Sequence, residues 1–422
     1  MKQMCVYGMV LLLTFSLTTQ GTAQESLTWK DCVKEALKQH PDVISAKEKV
    51  RQTEADRKIT RSAILPQVTT EASGRRSDTE TQPEQESYAY AIRGSQLLFD
   101  GFKTSSELKA ATQTMVAQEY DYAVVSSNVR LALKKAFASL LRAQELISLT
   151  EEIAERRRQN VDLIRLRYEA GREHRGALLT AEADLAQASF EVARAKRNLF
   201  VAQRELSKEL GRKEVSPITA AGSFDMEDLP VERPDFESLA GETPFLKELI
   251  ARKEAAQWGV KSARAEFFPQ VYLNASFGET ATDWPPKDDE WSAGVTLSLP
   301  IFEGGSRPAR VSKSKSQLSQ LEADQESGRD SVLLTLEKTW KGLQDAADFV
   351  SVQKKFLDAG RERAKIAGAQ YSTGLVAFDD WIIIENNLVS AKKAYLDAQA
   401  DLLVAEANWY QAKGGTLEDV QE

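Results

Sequence analysis

The chain copies itself at a constant offset of 203 residues. His40-Pro41 aligns with Thr243-Pro244, Arg61 with Arg264, Pro66-Gln67-Val68 with Pro269-Gln270-Val271, and Phe99-Asp100-Gly101 with Phe302-Glu303-Gly304. Tyr168-x-x-Gly171 falls on Tyr371-x-x-Gly374 and Gly211 on Gly414, with no insertion or deletion between. Solenoid repeats run roughly 20–50 residues. This period is far longer, so the repeat is a duplicated half-molecule, and whatever one half builds the other builds again.

Most of each half reads as long amphipathic helix. Ser105 to Arg167 contains neither Pro nor Gly, and a helix of that length would reach roughly 95 Å at ~1.5 Å per residue. Its counterpart runs from Pro308 to Tyr371, interrupted only by Gly328, Gly342, Gly360 and Gly368. Helices this long must be packed lengthwise against others. The seam is most legible after each Tyr-x-x-Gly turn. Leu178, Leu185, Val192, Leu199 and Leu206 recur every seventh residue, with Ala181, Ala188, Ala195 and Ala202 between them. The second half places Trp381, Leu388, Tyr395, Leu402 and Trp409 on one line and Ile384, Ala391, Ala398 and Ala405 on the other. A strict seven-residue repeat favours left-handed supercoiling, so these segments predict a coiled coil.

Between the helices of each half the period changes to two. Trp291, Ala293, Val295, Leu297 and Leu299 alternate with Ser292, Gly294, Thr296 and Ser298. The preceding segment alternates Val271, Leu273, Ala275 and Phe277 with Tyr272, Asn274, Ser276 and Gly278, and Tyr88 to Arg93 facing Val68 to Arg75 repeats this more weakly. One apolar face at period two means a half-buried strand. Segments of about 10–12 residues have the length of a tilted bilayer-crossing strand. The tips, Asp78 to Glu86 and Thr280 to Glu290, are polar. Aromatics gather at the strand ends: Phe99, Phe102, Phe267, Phe268 and Phe302 at one side, Trp284 and Trp291 at the other, like the two girdles of a membrane barrel.

Four strands cannot close, and open sheet edges are not tolerated in hydrocarbon. Closure needs further copies. Two copies would supply eight strands, whose interior side chains largely fill, and three would supply twelve and an aqueous bore. Gly176 to Leu210 and Pro41 to Leu65, laid end to end, match one long helix. They meet near Glu214 to Thr243, an acidic stretch with Pro217, Pro230 and Pro234 that reads as a linker around the middle of the helical part.

The chemistry-bearing residues are sparse. Lys2, the apolar run Val6 to Leu17 and the small residues Gly21-Thr22-Ala23 predict a secretory leader cut before Gln24. Cys5 would leave with it and lacks the context of a lipid acceptor, so no intrachain disulfide and no lipid anchor are expected around Cys32. With 55 Lys and Arg against 63 Asp and Glu the net charge is −8, which disfavours nucleic acid as a partner. His40 and His174 are the only histidines, so no histidine cluster can hold a metal. Gly304-Gly305 lacks the Lys-Ser/Thr of a phosphate loop, and no nucleophile sits beside a base. No enzyme activity, catalytic residue, cofactor or metal is expected.

Leu27-Thr28-Trp29-Lys30-Asp31, Leu65-Pro66-Gln67-Val68, Leu98-Phe99-Asp100-Gly101, Leu299-Pro300-Ile301-Phe302-Glu303-Gly304-Gly305 and Tyr371-Ser372-Thr373-Gly374-Leu375-Val376 leading to Asp380 occur in that order. In this order and doubled spacing the chain resembles the TolC-like outer-membrane efflux protein family over its whole mature length. The resemblance implies a mainly α chain with four transmembrane β-strands. Three copies would close a twelve-stranded barrel in the outer membrane, above an α-helical tunnel in the periplasm. It implies a passive conduit of a tripartite efflux or type I secretion system, opened at its periplasmic tip by an inner-membrane pump and its periplasmic adaptor. By position it assigns adaptor contact to Tyr168, Gly171, Tyr371, Gly374 and Leu375 and the aperture acid to Asp380, beside Asp379. The sequence departs from the family where a second aperture acid would stand, at Ile383, and where an acid–Arg latch would need residues other than Ala177 and Val376. Arg172, Glu173, His174 and Arg175 are the candidates for a different latch.

The expected organisation is a leader (1–23) and a first repeat (24–213) with a hairpin at about 67–99 and a tip turn at 168–176. A linker (214–243) follows, then a second repeat (244–415) with a hairpin at about 270–302 and a tip turn at 371–379, and a tail (416–422). The rival reading is a secreted coiled-coil scaffold or adaptor with two decorative hairpins. Strands of lipid-crossing length with aromatic ends would be superfluous in it.

Overall fold

The computed structural model describes residues 25–79, 82–214, 217–224 and 232–420. The expected leader (1–23) lies outside them, as do parts of the expected linker and the last two residues of the tail. In chain order, β1 (Glu25–Thr28) leads into α1 (Trp29–Gln39) and α2 (Pro41–Ser62), then β2 (Gln67–Thr79), β3 (Gln82–Phe99), α3 (Lys103–Glu169) and α4 (Arg175–Glu209). After β4 (Ile218–Ala221) and α5 (Phe236–Glu242) the series repeats as α6 (Pro244–Ala265), β5 (Gln270–Ala281), β6 (Asp288–Ser298), α7 (Ser306–Thr373) and α8 (Phe378–Ala412). Local chemistry sets these boundaries. Thr28 and Asp31 form a reciprocal capping box at the start of α1. Pro41 and Pro244 occupy the first helical position of α2 and α6, where a missing N–H costs nothing.

The four hairpin strands form one antiparallel sheet in the order β2-β3-β5-β6. The two hairpins are therefore joined side by side through β3 and β5, leaving β2 and β6 as open edges. Register fixes the faces. Val271↔Leu297, Leu273↔Val295, Ala275↔Ala293 and Phe277↔Trp291 are opposed on β5 and β6, and Ile92 of β3 lies opposite Phe277, which makes one apolar face. On the other face Ser276 and Ser292 hydroxyls are 2.8 Å apart and Asn274 donates to Thr296 at 3.1 Å. That face is not wholly uncharged: Arg93 pairs with Glu71 at 3.1 Å.

Each sheet-to-helix corner needs backbone that L-residues avoid. Gly101 and Phe102 both take positive φ (67° and 66°), as do Gly304 and Gly305 (58° and 83°). Asp100, buried at the first corner, accepts from the Thr104 N–H at 2.7 Å and from its hydroxyl at 2.5 Å. From there α3 and α7 run for 67 and 68 residues. Near the sheet the helices lie side by side as α2, α3, α6, α7, and beyond the middle as α4, α3, α8, α7. No helix among the described residues is long and apolar enough to cross a membrane.

The two heptad seams are used differently. On α4 the alanine line Ala181, Ala188, Ala195 and Ala202 is buried against α3, while Leu178, Leu185, Val192 and Leu199 are half-buried and Leu206, at the far end of the large line, is buried. On α8 the large line is the buried one, with Trp381, Leu388, Leu402 and Trp409 packed inside.

The middle of the molecule is more structured than a linker. β1 and β4 pair in parallel, and α5 packs on α7 while its Phe236 meets Trp409 of α8 edge-on at 6.4 Å. The expected tail begins with a packed turn. Leu417 is fully buried, and Glu418, in a single 3-10 turn (Glu418–Val420), accepts from Tyr122 and Ser126 of α3, each at 2.6 Å. A buried leucine and a bonded carboxylate hold the segment down.

Candidate functional site

At the far end from the sheet both long helices stop in the same way. Gly171 and Gly374 take φ of 70° and 81°. The next residue, Arg172 or Leu375, donates its N–H back to Arg167 O at 2.8 Å or Gln370 O at 2.9 Å, a Schellman closure that glycine permits. The conserved spacing of Tyr-x-x-Gly in the two halves is thus a helix stop followed by a tight return, and it places the two turns side by side.

What the two turns hold differs. Tyr371 is 1 % exposed and lies flat on Trp381, centroids 4.3 Å apart and planes 6° from parallel. Around them pack Phe378, Ile382, Ile164, Ala177 and Ala181, so one cluster draws on α3, α4, α7 and α8. The repeat counterparts are Tyr168, which is 39 % exposed, and the half-buried Leu178. A leucine offers no ring to stack on, and Tyr168 stays outside.

Polar bonds tie the first turn to the second. Tyr371 Oη donates to Glu173 Oε2 at 2.8 Å. Arg167 lies over the Tyr371 ring at 4.6 Å and donates from Nη1 to the Tyr371 carbonyl at 2.8 Å. Burial, then the Glu173 carboxylate, pushes the Tyr371 phenol well above its ordinary range. Tyr371, expected among the partner-facing residues, is buried in this chain, its ring stacked and its hydroxyl committed. Leu375 is 78 % exposed at the turn's apex, and Gly171 and Gly374 are exposed beside it.

The remaining candidates fall into two groups. His174 is the N-cap of α4, its Nδ1 accepting from the Ala177 N–H at 3.1 Å. Arg172, Arg175, Asp379 and Asp380 are exposed, and none of them makes an ion pair among the described residues. The two aspartates stand in the first turn of α8, whose N-cap, Ala377, supplies no side-chain bond, and there the helix dipole favours acids. Ile383 is exposed on the same side of α8 as Asp380, while Trp381 and Ile382 turn inward. The structure thus brings Glu173 and Tyr371 together and leaves Asp380 free.

A second junction lies a few turns back and was not anticipated. Arg156 grips the buried Glu385 of α8 with two bonds, 2.6 and 2.7 Å. Next to it Arg157 donates to Asn386 of α8 and faces Asp184 of α4 at 3.6 Å. Two adjacent arginines on α3 thus hold both neighbouring helices. The run Arg156-Arg157-Arg158 was the only hint in the sequence. Among the described residues no cluster of three or more His, Cys, Asp or Glu could hold a metal ion.

Comparison with known proteins places this geometry. The family model for outer membrane efflux proteins matches residues 32–212 and 237–415. The chain is 23 % identical over 418 residues to the outer membrane efflux protein BepC of Brucella suis, spanning 98 % of this chain and 91 % of BepC. It is 25 % identical to the outer membrane protein OprJ of Pseudomonas aeruginosa, spanning 94 % and 88 %. Among solved structures, CusC superposes with a TM-score of 0.84 at 20 % identity over 92 % of each chain. The open-state MtrE outer membrane channel of Neisseria gonorrhoeae gives 0.80 at 21 % identity, over 93 % of this chain and 90 % of MtrE.

Proposed function

We propose a working mechanism for this chain, which belongs to the outer membrane efflux protein family. It is an outer-membrane efflux channel of a tripartite system, reaching into the periplasm and working with an adaptor and an inner-membrane pump. Three copies close a twelve-stranded barrel over a helical tunnel, and the tip turns gate it.

The observation that carries the assembly is the pair of open edges. β2 and β6 are unpaired outer strands of a sheet with one apolar face. The helices keep the same sense: α2 and α4 lie at the β2 side and α7 at the β6 side. Joining the β6–α7 edge of one copy to the β2–α2–α4 edge of the next keeps the strands antiparallel and is head-to-tail, the interface type that closes rings. Phe190 and Phe200 are exposed on α4, about half a turn from the alanine line that faces α3. They point toward where the next copy would stand. Three copies give twelve strands and a bore, which eight strands would not leave open.

At the tip, Glu173–Tyr371 and Arg167–Tyr371 act as the latch inside each copy, with Arg172, His174 and Arg175 around it. Asp380 and Asp379, repeated around a threefold axis, set a ring of negative charge that favours cations in the narrowing. The adaptor meets the exposed Leu375 and Tyr168 at the Gly171 and Gly374 turns. Cargo is selected by the pump, and the tunnel is a passive conduit.

The test is to extract the protein from outer membranes in detergent, weigh the complex, and reconstitute it in planar bilayers. The expected result is a mass of three mature chains and a small conductance that rises when the Glu173–Tyr371 contact is removed. A monomer recovered from the soluble periplasm would overturn the reading.

A further inference from the structure

Both histidines of the chain do the same unusual job. His40 and His174 are the N-cap residues of α2 and α4, and each accepts a backbone N–H through Nδ1: Asp42 N at 3.2 Å and Ala177 N at 3.1 Å. Each also turns Nε2 toward a glutamate, Glu209 at 3.6 Å and Glu173 at 3.9 Å. Their repeat counterparts, Thr243 and Ala377, cap α6 and α8 with no side-chain bond. The first repeat therefore has imidazole caps where the second has none.

An imidazole accepts at Nδ1 only while that nitrogen carries no proton. Protonation makes it a donor facing the Ala177 donor, and sets a cation at the positive end of the α4 dipole. Imidazole is the side chain whose ordinary titration lies between about pH 5 and 8. The two caps differ in access. His40 is 6 % exposed, at a corner where a side chain on Gly211 would strike the Gln39 and His40 backbone. The His174 side chain is 66 % exposed, and Gly176 leaves room for its ring, since a Cβ there would come within 2.9 Å of Nδ1.

We propose that His174 is an acid-sensitive catch on the periplasmic tip: its protonation uncaps α4 and loosens the first-repeat turn, leaving the second-repeat turn in place. The charged surroundings fix the direction. Among the described residues Glu173 is the one acid in ion-pair range of His174, and its Oε2 is the acceptor of the Tyr371 hydroxyl from α7. A cationic His174 is drawn toward Glu173 Oε1, which already accepts the His174 backbone N–H at 3.2 Å, and away from the Ala177 N–H that it caps. Arg167 of α3 stays on the Tyr371 ring and carbonyl, and the exposed Arg172 and Arg175 flank the turn with like charge. Asp379 and Asp380 of α8 are exposed in the neighbouring turn and belong to the half that keeps its geometry.

The proposal rests on the channel reading, so its test uses two independent readouts on the full-length protein. Amide exchange is followed in detergent for the peptides around 168–180 and 371–383, and conductance in bilayers, each at about pH 7.5 and about pH 5.5. Loss of a cap should speed exchange in the first peptide about two- to tenfold beyond the intrinsic pH effect, leave the second unchanged, and raise conductance. H174N keeps a capping side chain without the titration and should hold neutral-pH behaviour at both values. H174A, which removes the cap without adding a charge, should show the faster exchange of the first peptide at both values. A full acid response in H174N, or equal exchange changes in the two peptides, would overturn the proposal. If exchange responds as expected and conductance never appears, the channel reading fails and the catch stands. If exchange responds and an existing conductance does not, the catch does not act on the gate.

Discussion

Tyr371 and Trp381 lie face to face, 4.3 Å between ring centroids and 6° from parallel, and the stack is what gives the Glu173 bond its position. Tyr371 comes from the end of α7 and Trp381 from the first turns of α8, so the contact staples one hairpin. The Tyr371 hydroxyl then reaches the other hairpin at Glu173. Ring and hydroxyl are thus separable. Tyr371→Phe should keep the fold and weaken the latch by about 1.5–3 kcal/mol, as for a hydrogen bond to a charged group, raising conductance with thermal stability of the complex little changed. Tyr371→Ala should release the latch as Tyr371→Phe does and in addition cost about 3–5 kcal/mol by leaving a cavity, lowering thermal stability. Equal melting of the two variants would refute the separation.

Arg156 and Glu385 make the stronger clasp behind the latch. Glu385 is 2 % exposed, and removing its partner strands a buried carboxylate, a loss of about 3–5 kcal/mol when both charges are fully enclosed. The Arg156 side chain is 42 % exposed, so solvent screening lowers the expectation to about 2 kcal/mol. Arg156→Met should destabilise by that amount in denaturant melts, and Glu385→Gln by less, since the amide can still accept from Arg156. A double variant no worse than Arg156→Met alone would confirm that the two act through one contact.

Those two junctions show where sequence reading reaches. The Tyr-x-x-Gly stops, the Phe-Asp-Gly corner and the period-two strands are local: each is decided by residues within a few positions, and the duplication shows each twice. The parallel pairing of Glu25–Thr28 with Ile218–Ala221 and the Arg156–Glu385 clasp join residues far apart in the chain, with nothing local to announce them. The duplication itself hid the difference between the seams. Leu178 and Trp381 are repeat counterparts, as are Ala181 and Ile384, yet α4 buries mainly its small line against α3 and α8 mainly its large one. The fold-back of Leu417 was hidden too, because one leucine in a short acidic segment carries no periodicity.

The two sheet faces should respond oppositely to charge. Val295 is on the apolar face, opposite Leu273, and its neighbour Thr296 is on the polar face, opposite Tyr272. Val295→Arg should cost about 2–4 kcal/mol if its position falls near the bilayer midplane, seen as loss of assembled complex from outer membranes. Thr296→Arg should assemble normally and shift ion selectivity in bilayers. Reversal of the two phenotypes would put the lipid on the other face.

Glu418 gives the mid-section a pH dependence whose sign can be worked out. Burial raises its carboxyl, but hydrogen bonds from Ser126 and Tyr122 outweigh that and hold it below the ordinary glutamate range. A carboxyl depressed in this way binds fewer protons folded than unfolded. Its contribution is complete above the unfolded value and is lost as pH falls through the folded one. Glu418→Gln should therefore lower the melting temperature at neutral pH, by an amount set by about 1–3 kcal/mol for hydrogen bonds to a charged acceptor. The gap to wild type should shrink as the pH is lowered from about 6 to about 3.5, across the glutamate range. A gap that stays constant over that interval would mean that packing of the segment through Leu417, and not the ionised carboxylate, holds the C-terminal turn on α3.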